Sequence, residues 1–149
     1  MNAQTTAINS SFLSGKVRKQ SLPAFQPPTG PDAPALKRLL LPQGELAQFH
    51  DGPDPIHYQA YIELRESTVR GNHYHEVKKE FIYLIQGELL LVVEDIDSKA
   101  RDSVTLQAGD IAFISTRVAH ALKTLRNGHA IEFSEARFDA ADTHRYPLV

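Results

Sequence analysis

The stretch Gly71-Asn-His-Tyr-His-Glu-Val-Lys-Lys-Glu-Phe-Ile-Tyr-Leu-Ile-Gln-Gly87 decides how the chain is read. His73 and His75 are two residues apart, and on a β-strand residues i and i+2 face the same side. Both imidazoles therefore aim at one point. Glu80 opens the next apolar run, 80–85, and adds a carboxylate, and Gly87 closes that run with a turn. His120 follows a further strand-like run, Ile111 to Ile114, across a short loop. Three imidazole nitrogens and one carboxylate oxygen suit a divalent transition metal, and softness alone admits Zn, Fe, Mn, Ni or Cu. Each of these residues taken singly is an ordinary polar group of a barrel interior. Their joint spacing is what points to a metal or catalytic site.

Working outward, the pattern predicts strands throughout. Phe81–Ile85 and Leu89–Val93 flank Gln86-Gly87-Glu88, a hairpin signal. Val104–Leu106, Ile111–Ile114, Ala119–Leu125 and Ala130–Phe133 follow, with Ala108-Gly109-Asp110 and Asn127-Gly128 as turns. Upstream, Ile56 to Val69 alternates as one long strand, with Tyr58, Ala60, Ile62 and Leu64 on one face. Leu36–Leu41 and Glu45–His50 are shorter candidates. The tail from Phe138 carries one helical turn around 139–142 and apolar residues, Tyr146, Leu148 and Val149, that can pack back. No long amphipathic helix and no repeat period intervenes, so an antiparallel sandwich or barrel is expected.

The chain has 149 residues, room for one domain with a real core. With 16 basic against 18 acidic residues, it has no electrostatic footprint for nucleic acid or an anionic membrane. Zero Cys removes disulfides, thiolate nucleophiles and Cys-type zinc sites. No run approaches the roughly 20 apolar residues of a membrane helix, and the N-terminus lacks the apolar core of a secretory signal. The expected location is the cytoplasm. Residues 1–35 are rich in Ser, Thr, Gln and Pro and are read as a flexible or extended arm, with residues 36–149 as the domain. Phe12, Leu13, Leu22 and Phe25 in the arm suit docking on a neighbouring subunit, and a homodimer is expected.

The spacing resembles the cupin family, whose first motif reads G-x5-H-x-H-x4-E-x6-G. His73, His75, Glu80 and Gly87 match it, while Ser67 stands where the leading Gly is asked for. In the second motif, G-x5-P-x-G-x2-H-x3-N, Gly109 and His120 keep the frame; Ser115, Arg117 and Thr124 replace the Pro, Gly and Asn. The resemblance implies a double-stranded β-helix, or jelly-roll, barrel with His73, His75, Glu80 and His120 as metal ligands. More locally, Arg70-Gly71-Asn72-His73-Tyr74-His75 resembles the Arg-Gly-x-His-x-His stretch of nucleotide-sugar ketoisomerases, capsular polysaccharide cupins and small polyketide cyclases. The resemblance to the ketoisomerases implies acid–base chemistry by the His pair on a keto sugar without metal, with Gln commonly at the Glu80 position. Glu80 itself favours metal.

The expected activity is isomerisation, epimerisation or cyclisation of a small carbonyl-bearing or sugar-like molecule, with His73, His75 and Glu80 as catalytic residues. An iron dioxygenase using the same four ligands and a non-catalytic small-molecule binder are the alternatives. Arg70 suits a bidentate grip on an anionic substrate group, or a salt bridge to Glu63 or Glu66. Tyr61 and Tyr83 are candidate pocket walls and Arg117 a candidate rim contact, whereas Lys78 and Lys79 are expected in solvent. No phosphate loop, dinucleotide fingerprint or Gly-x-Ser-x-Gly elbow is present, which argues against NTP, dinucleotide and serine-hydrolase chemistry.

Overall fold

Two long strands carry the architecture of the computed structural model, which describes residues 8–149. The strands are β1 (Ile8–Phe12), β2 (Val17–Ser21), β3 (Ala24–Phe25), β4 (Lys37–Leu41), β5 (Gly44–Gln48), β6 (Tyr58–Leu64), β7 (Val69–Tyr74), β8 (Glu80–Asp95), β9 (Arg101–Gln107), β10 (Asp110–Ile114), β11 (Val118–Ser134) and β12 (His144–Arg145). β8 and β11 pair antiparallel along their whole length, from Phe133 opposite Phe81 to Val118 opposite Asp95. The first half of β8 also pairs β10, and its second half pairs β9. The two halves of β11 pair β7 and β6 in turn. The result is one nine-stranded sheet wrapped into the expected all-β jelly roll. Among the described residues helix is confined to two 3-10 turns, and no helix is long and apolar enough to cross a membrane.

Gln86-Gly87-Glu88 and Asn127-Gly128 are not hairpin turns. They lie opposite one another inside β8 and β11, where the register shifts between Arg126 and His129. A Cβ on Gly128 would sit 1.7 Å from the carbonyl oxygen of Gln86, and one on Gly87 would sit 2.8 Å from that of Arg126. The two backbones approach so closely that side chains are excluded, and both strands bend together without losing their pairing. Inward-facing residues change phase across the bend: Ile82 and Leu84 before it, Leu89, Leu91 and Val93 after it. All five enter one core with Val17, Ile62, Leu64, Leu106, Ile114, Val118 and Leu122. Burying a side chain of this size contributes about 1.5–3 kcal/mol.

The long strand expected over Ile56–Val69 is broken at residues 65–68 into β6 and β7, with Ser67 at φ 65° in the turn. The arm read over residues 1–35 carries three strands in its described part. β1 and β2 form a hairpin, and β2 continues the main sheet beside β10. Val17 enters the barrel core and Leu22 a second cluster with Tyr83, Ile111 and Phe133. The boundary drawn at residue 35 therefore does not separate the arm from the barrel, because the open edge of β10 needs a partner for its backbone groups. The second cluster lies on the outer face of the sheet against Leu36, Ala47 and Phe49 of the segment bearing the small sheet β3–β4–β5.

Gly128→Ala is expected to cost about 4 kcal/mol or more in urea unfolding, through backbone collision at the bend. Gly30→Ala, with nothing within 4 Å of the added carbon, should be close to neutral.

Candidate functional site

Each histidine of the cluster is placed by strand pairing. His73 on β7 lies opposite His120 on β11, and His120 in turn lies opposite Val93 of β8. A bulge at Gly71-Asn72 sets this register. Gly71 has φ +87°, and a Cβ there would meet the His120 carbonyl oxygen at 2.7 Å, so the approach of β7 to β11 requires glycine. His75 follows the end of β7, and Glu80 begins β8. The ligand atoms of His73, His75, Glu80 and His120 all lie within 4.8 Å of one another. His75, Glu80 and His120 are buried, and His73 is half-buried.

Two of the imidazoles have a fixed orientation. His75 Nδ1 lies 2.8 Å from the carbonyl oxygen of Asp142, and His120 Nδ1 lies 3.0 Å from that of Val118. A carbonyl only accepts, so Nδ1 carries the proton in each. Their Nε2 atoms face one carboxylate: His75 Nε2 is 2.8 Å from Glu80 Oε1 and His120 Nε2 is 2.9 Å from Glu80 Oε2. His120 Nε2 is nevertheless out of line for a hydrogen bond and has no hydrogen-bond partner. In the neutral rings both Nε2 atoms present lone pairs to oxygen lone pairs, a contact that closes only around added protons or a cation. Three imidazole nitrogens and a carboxylate clustered within 4.8 Å are the donor set a divalent transition metal takes. The four residues fit a divalent metal.

The charges reinforce one another. Burial would raise the Glu80 carboxyl, but the His120 charge and the histidine contacts outweigh it and hold it well below 4.5. Burial would lower His120, but Glu80 outweighs it and raises the ring above 6.5. His73 has less of this support: burial first, then the neighbouring His120, outweigh the pull of Glu80 and push it down to about 4. At neutral pH His73 is a free base.

The cluster forms the floor of a cavity of about 530 Å³. Arg70 lines it, and its guanidinium donates to the carbonyl oxygen of Glu63 at 3.1 Å rather than to a carboxylate. Tyr61 and Tyr83 do not reach the cavity. Tyr61 is 61% exposed beside His129, because Ile62 takes the inward position on β6. Tyr83 lies on the outer face of β8, stacked on Phe49 at 4.6 Å, and burial pushes its hydroxyl up to about 12. Arg117 is absent from the cavity lining. It pairs with Glu76 and Asp97, and its backbone N–H donates to the His75 carbonyl at 2.8 Å.

Sequence reasoning missed Lys78, Glu132, Tyr58 and Phe138, all of which line the cavity. Lys78, expected in solvent, is only 6% exposed. Glu132 had a legible signal: it shares the inward phase of Ala130 on β11, and a glutamate is rarely buried unless it is paired. Lys78 had none, since it lies in a loop. Asp142 was also missed. Its carboxylate accepts from the backbone N–H groups of Glu76, Val77 and Lys78 at 2.8, 3.2 and 2.9 Å.

Residues 60–133 match the family described as Cupin domain. The protein is a cupin. No curated protein matches it by sequence. Solved structures similar to this cupin include a TDP-quinovose 3,4-ketoisomerase from Campylobacter jejuni, with TM-score 0.65 at 18% identity over 74% of this chain and 88% of that one. A 4-keto-6-deoxy sugar epimerase from Streptomyces spheroides gives TM-score 0.72 at 12% identity over 95% and 74% of the two chains. A dTDP-4-dehydrorhamnose 3,5-epimerase from Bacillus anthracis gives 0.70 at 12% identity over 93% and 82%. At such identities the likeness is one of fold.

Ser67 and Arg117 stand at motif glycine positions and hold φ 65° and 58°, a left-handed conformation that favours glycine. Ser115, at the motif proline, uses the N–H that proline lacks to donate to the Lys16 carbonyl at 2.9 Å, tying the β1–β2 hairpin to the barrel.

Asp142→Ala should destabilise the protein by about 1.5–3 kcal/mol at pH 7, the scale of hydrogen bonds to a charged group. Burial would raise the Asp142 carboxyl, but the three backbone donors outweigh it and hold it below 3.8. Its stabilisation is therefore complete above the unfolded value and lost as pH falls through the lower folded one. Urea titrations should show the gap between wild type and variant flat at neutral pH and narrowing below pH 3.8.

Proposed function

We propose that this cupin is an isomerase- or epimerase-type enzyme acting on a small carbonyl-bearing, sugar-like molecule, with a divalent metal held by His73, His75, Glu80 and His120. The observation that carries the reading is the pair of Nδ1-anchored imidazoles whose Nε2 atoms face the Glu80 carboxylate at 2.8 and 2.9 Å. Once deprotonated at Nε2, the two rings would present lone pairs beside the carboxylate, an arrangement preorganised for a cation. When bound, the metal would polarise the substrate carbonyl and acidify the adjacent C–H.

The chain's own residues supply the rest. Arg70, on the cavity wall, offers a guanidinium for an anionic substituent such as a phosphate or carboxylate. Burial and His120 keep His73 unprotonated at neutral pH, so its ring has a lone pair either to ligate the ion or to take a proton from the carbon next to the carbonyl. Tyr58, Ile62 and Phe138 give the cavity apolar walls that exclude water from that proton. The fold shared with sugar ketoisomerases and epimerases is compatible with this reaction class. The reading includes a cytoplasmic enzyme that binds neither nucleic acid nor membrane. It also includes a homodimer: the outer edge of β1 is unpaired among the described residues, and a cavity of about 500 Å³ beside it is floored by Phe49, Phe81, Phe113 and Phe133.

Incubation with a nucleotide-linked 4-keto-6-deoxy sugar in D2O, followed by proton NMR, tests the reading. Deuterium should enter the carbon beside the carbonyl without oxygen uptake, and His75→Ala should slow the exchange by about 100-fold or more. Elemental analysis of tag-free protein should find metal in wild type and little in His75→Ala. Absence of exchange together with oxygen uptake on an iron-loaded sample would move the assignment to a dioxygenase.

A further inference from the structure

Lys78 brings a second positive charge to the carboxylate that would hold the metal. Its side chain is 7% exposed and lies inside the cavity wall. The ammonium is 2.7 Å from Glu132 Oε1, 3.2 Å from Glu80 Oε1 and 4.3 Å from the centre of the Tyr58 ring. All three of these partners belong to the site. Glu80 Oε1 also faces His75 Nε2 at 2.8 Å. One oxygen thus serves both an imidazole suited to a metal and an ammonium that repels one.

We propose that Lys78 is an internal counter-ion competing with a divalent metal for Glu80, and that Glu132 sets the strength of the competition by drawing the ammonium away. The inference rests on the metal reading of the site and adds the residues that tune it. A fixed positive charge a few ångströms from a divalent ion, in a cavity where water screens poorly, weakens binding strongly. The same ammonium withdraws electron density from Glu80 Oε1 by bonding to it. The shorter contact to Glu132 shows where the ammonium is held most firmly. Removing the Glu132 charge leaves Glu80, at 3.2 Å, as the only carboxylate paired with the ammonium among the described residues. The two residues therefore act on metal affinity with opposite signs.

Calorimetric titration of Zn2+ and Mn2+ into the metal-stripped, tag-free full chain tests this. Lys78→Met keeps the apolar stem against Tyr58 and removes the charge, and it should tighten metal binding by roughly tenfold or more. Glu132→Gln should loosen it, and its effect should shrink in the Lys78→Met background, as coupled residues require. A Lys78→Met protein that binds both ions no more tightly than wild type overturns the proposal while leaving the metal site standing. Failure of wild type and Lys78→Met alike to bind either ion overturns the metal reading and this inference with it. Binding by Lys78→Met alone supports the competition.

Discussion

A buried carboxylate with too many suitors organises this protein. Glu80 is 4% exposed, and its two oxygens meet His75, His120 and Lys78 within 3.2 Å. A lone carboxylate in such a place would cost several kcal/mol. Here it stays ionised because positive charge and hydrogen-bond donors reach it from three directions. The neighbours take their character from it in turn. His120 is raised because Glu80 outweighs its burial, and His73, with less such help, is pushed down. A set of identical residue types thus acquires unlike proton affinities from position alone.

The barrel exists to hold that set in register. β8 begins with Glu80 and β11 carries His120, and the two strands stay paired through a shared bend at Gly87 and Gly128. That bend wraps one continuous ladder around a single core instead of ending it in a turn. β7 is brought against β11 at Gly71, which fixes His73 opposite His120. The tail closes the arrangement from outside. The Asn72 side chain holds the backbone of Leu148 and Val149, β12 pairs β7, and Asp142 fixes both the His75 ring and the loop after it. Residues near the end of the chain therefore set the geometry of a site whose ligands lie over fifty residues upstream and at residue 120.

The fold and the convergence of His73, His75 and Glu80 were legible because period-two alternation and the spacing of these three residues are local signals, and His120 was legible from the frame it keeps with Gly109. Turn residues were misread at Gly87 and Gly128. A glycine that permits close approach of two strands looks, in sequence, like a glycine that ends one. Tyr61 and Tyr83 were assigned to the cavity from residue type, yet each stands one position out of phase with an inward neighbour, Ile62 and Ile82. Phase would have excluded them and would have admitted Glu132. Lys78 and Asp142 were beyond local reasoning. One lies in a loop whose direction is set by the other, and the other acts across more than sixty residues of chain.

The central claim is that a single point between His73, His75, Glu80 and His120 is built for a divalent cation. Anomalous diffraction from crystals soaked in manganese or zinc, recorded at the metal's absorption edge, tests it most directly. The account predicts one strong peak within coordination distance of all four side chains, with His75 and His120 bound through Nε2. A map with no peak there, or with the ion held through Nδ1 by either ring, would contradict it.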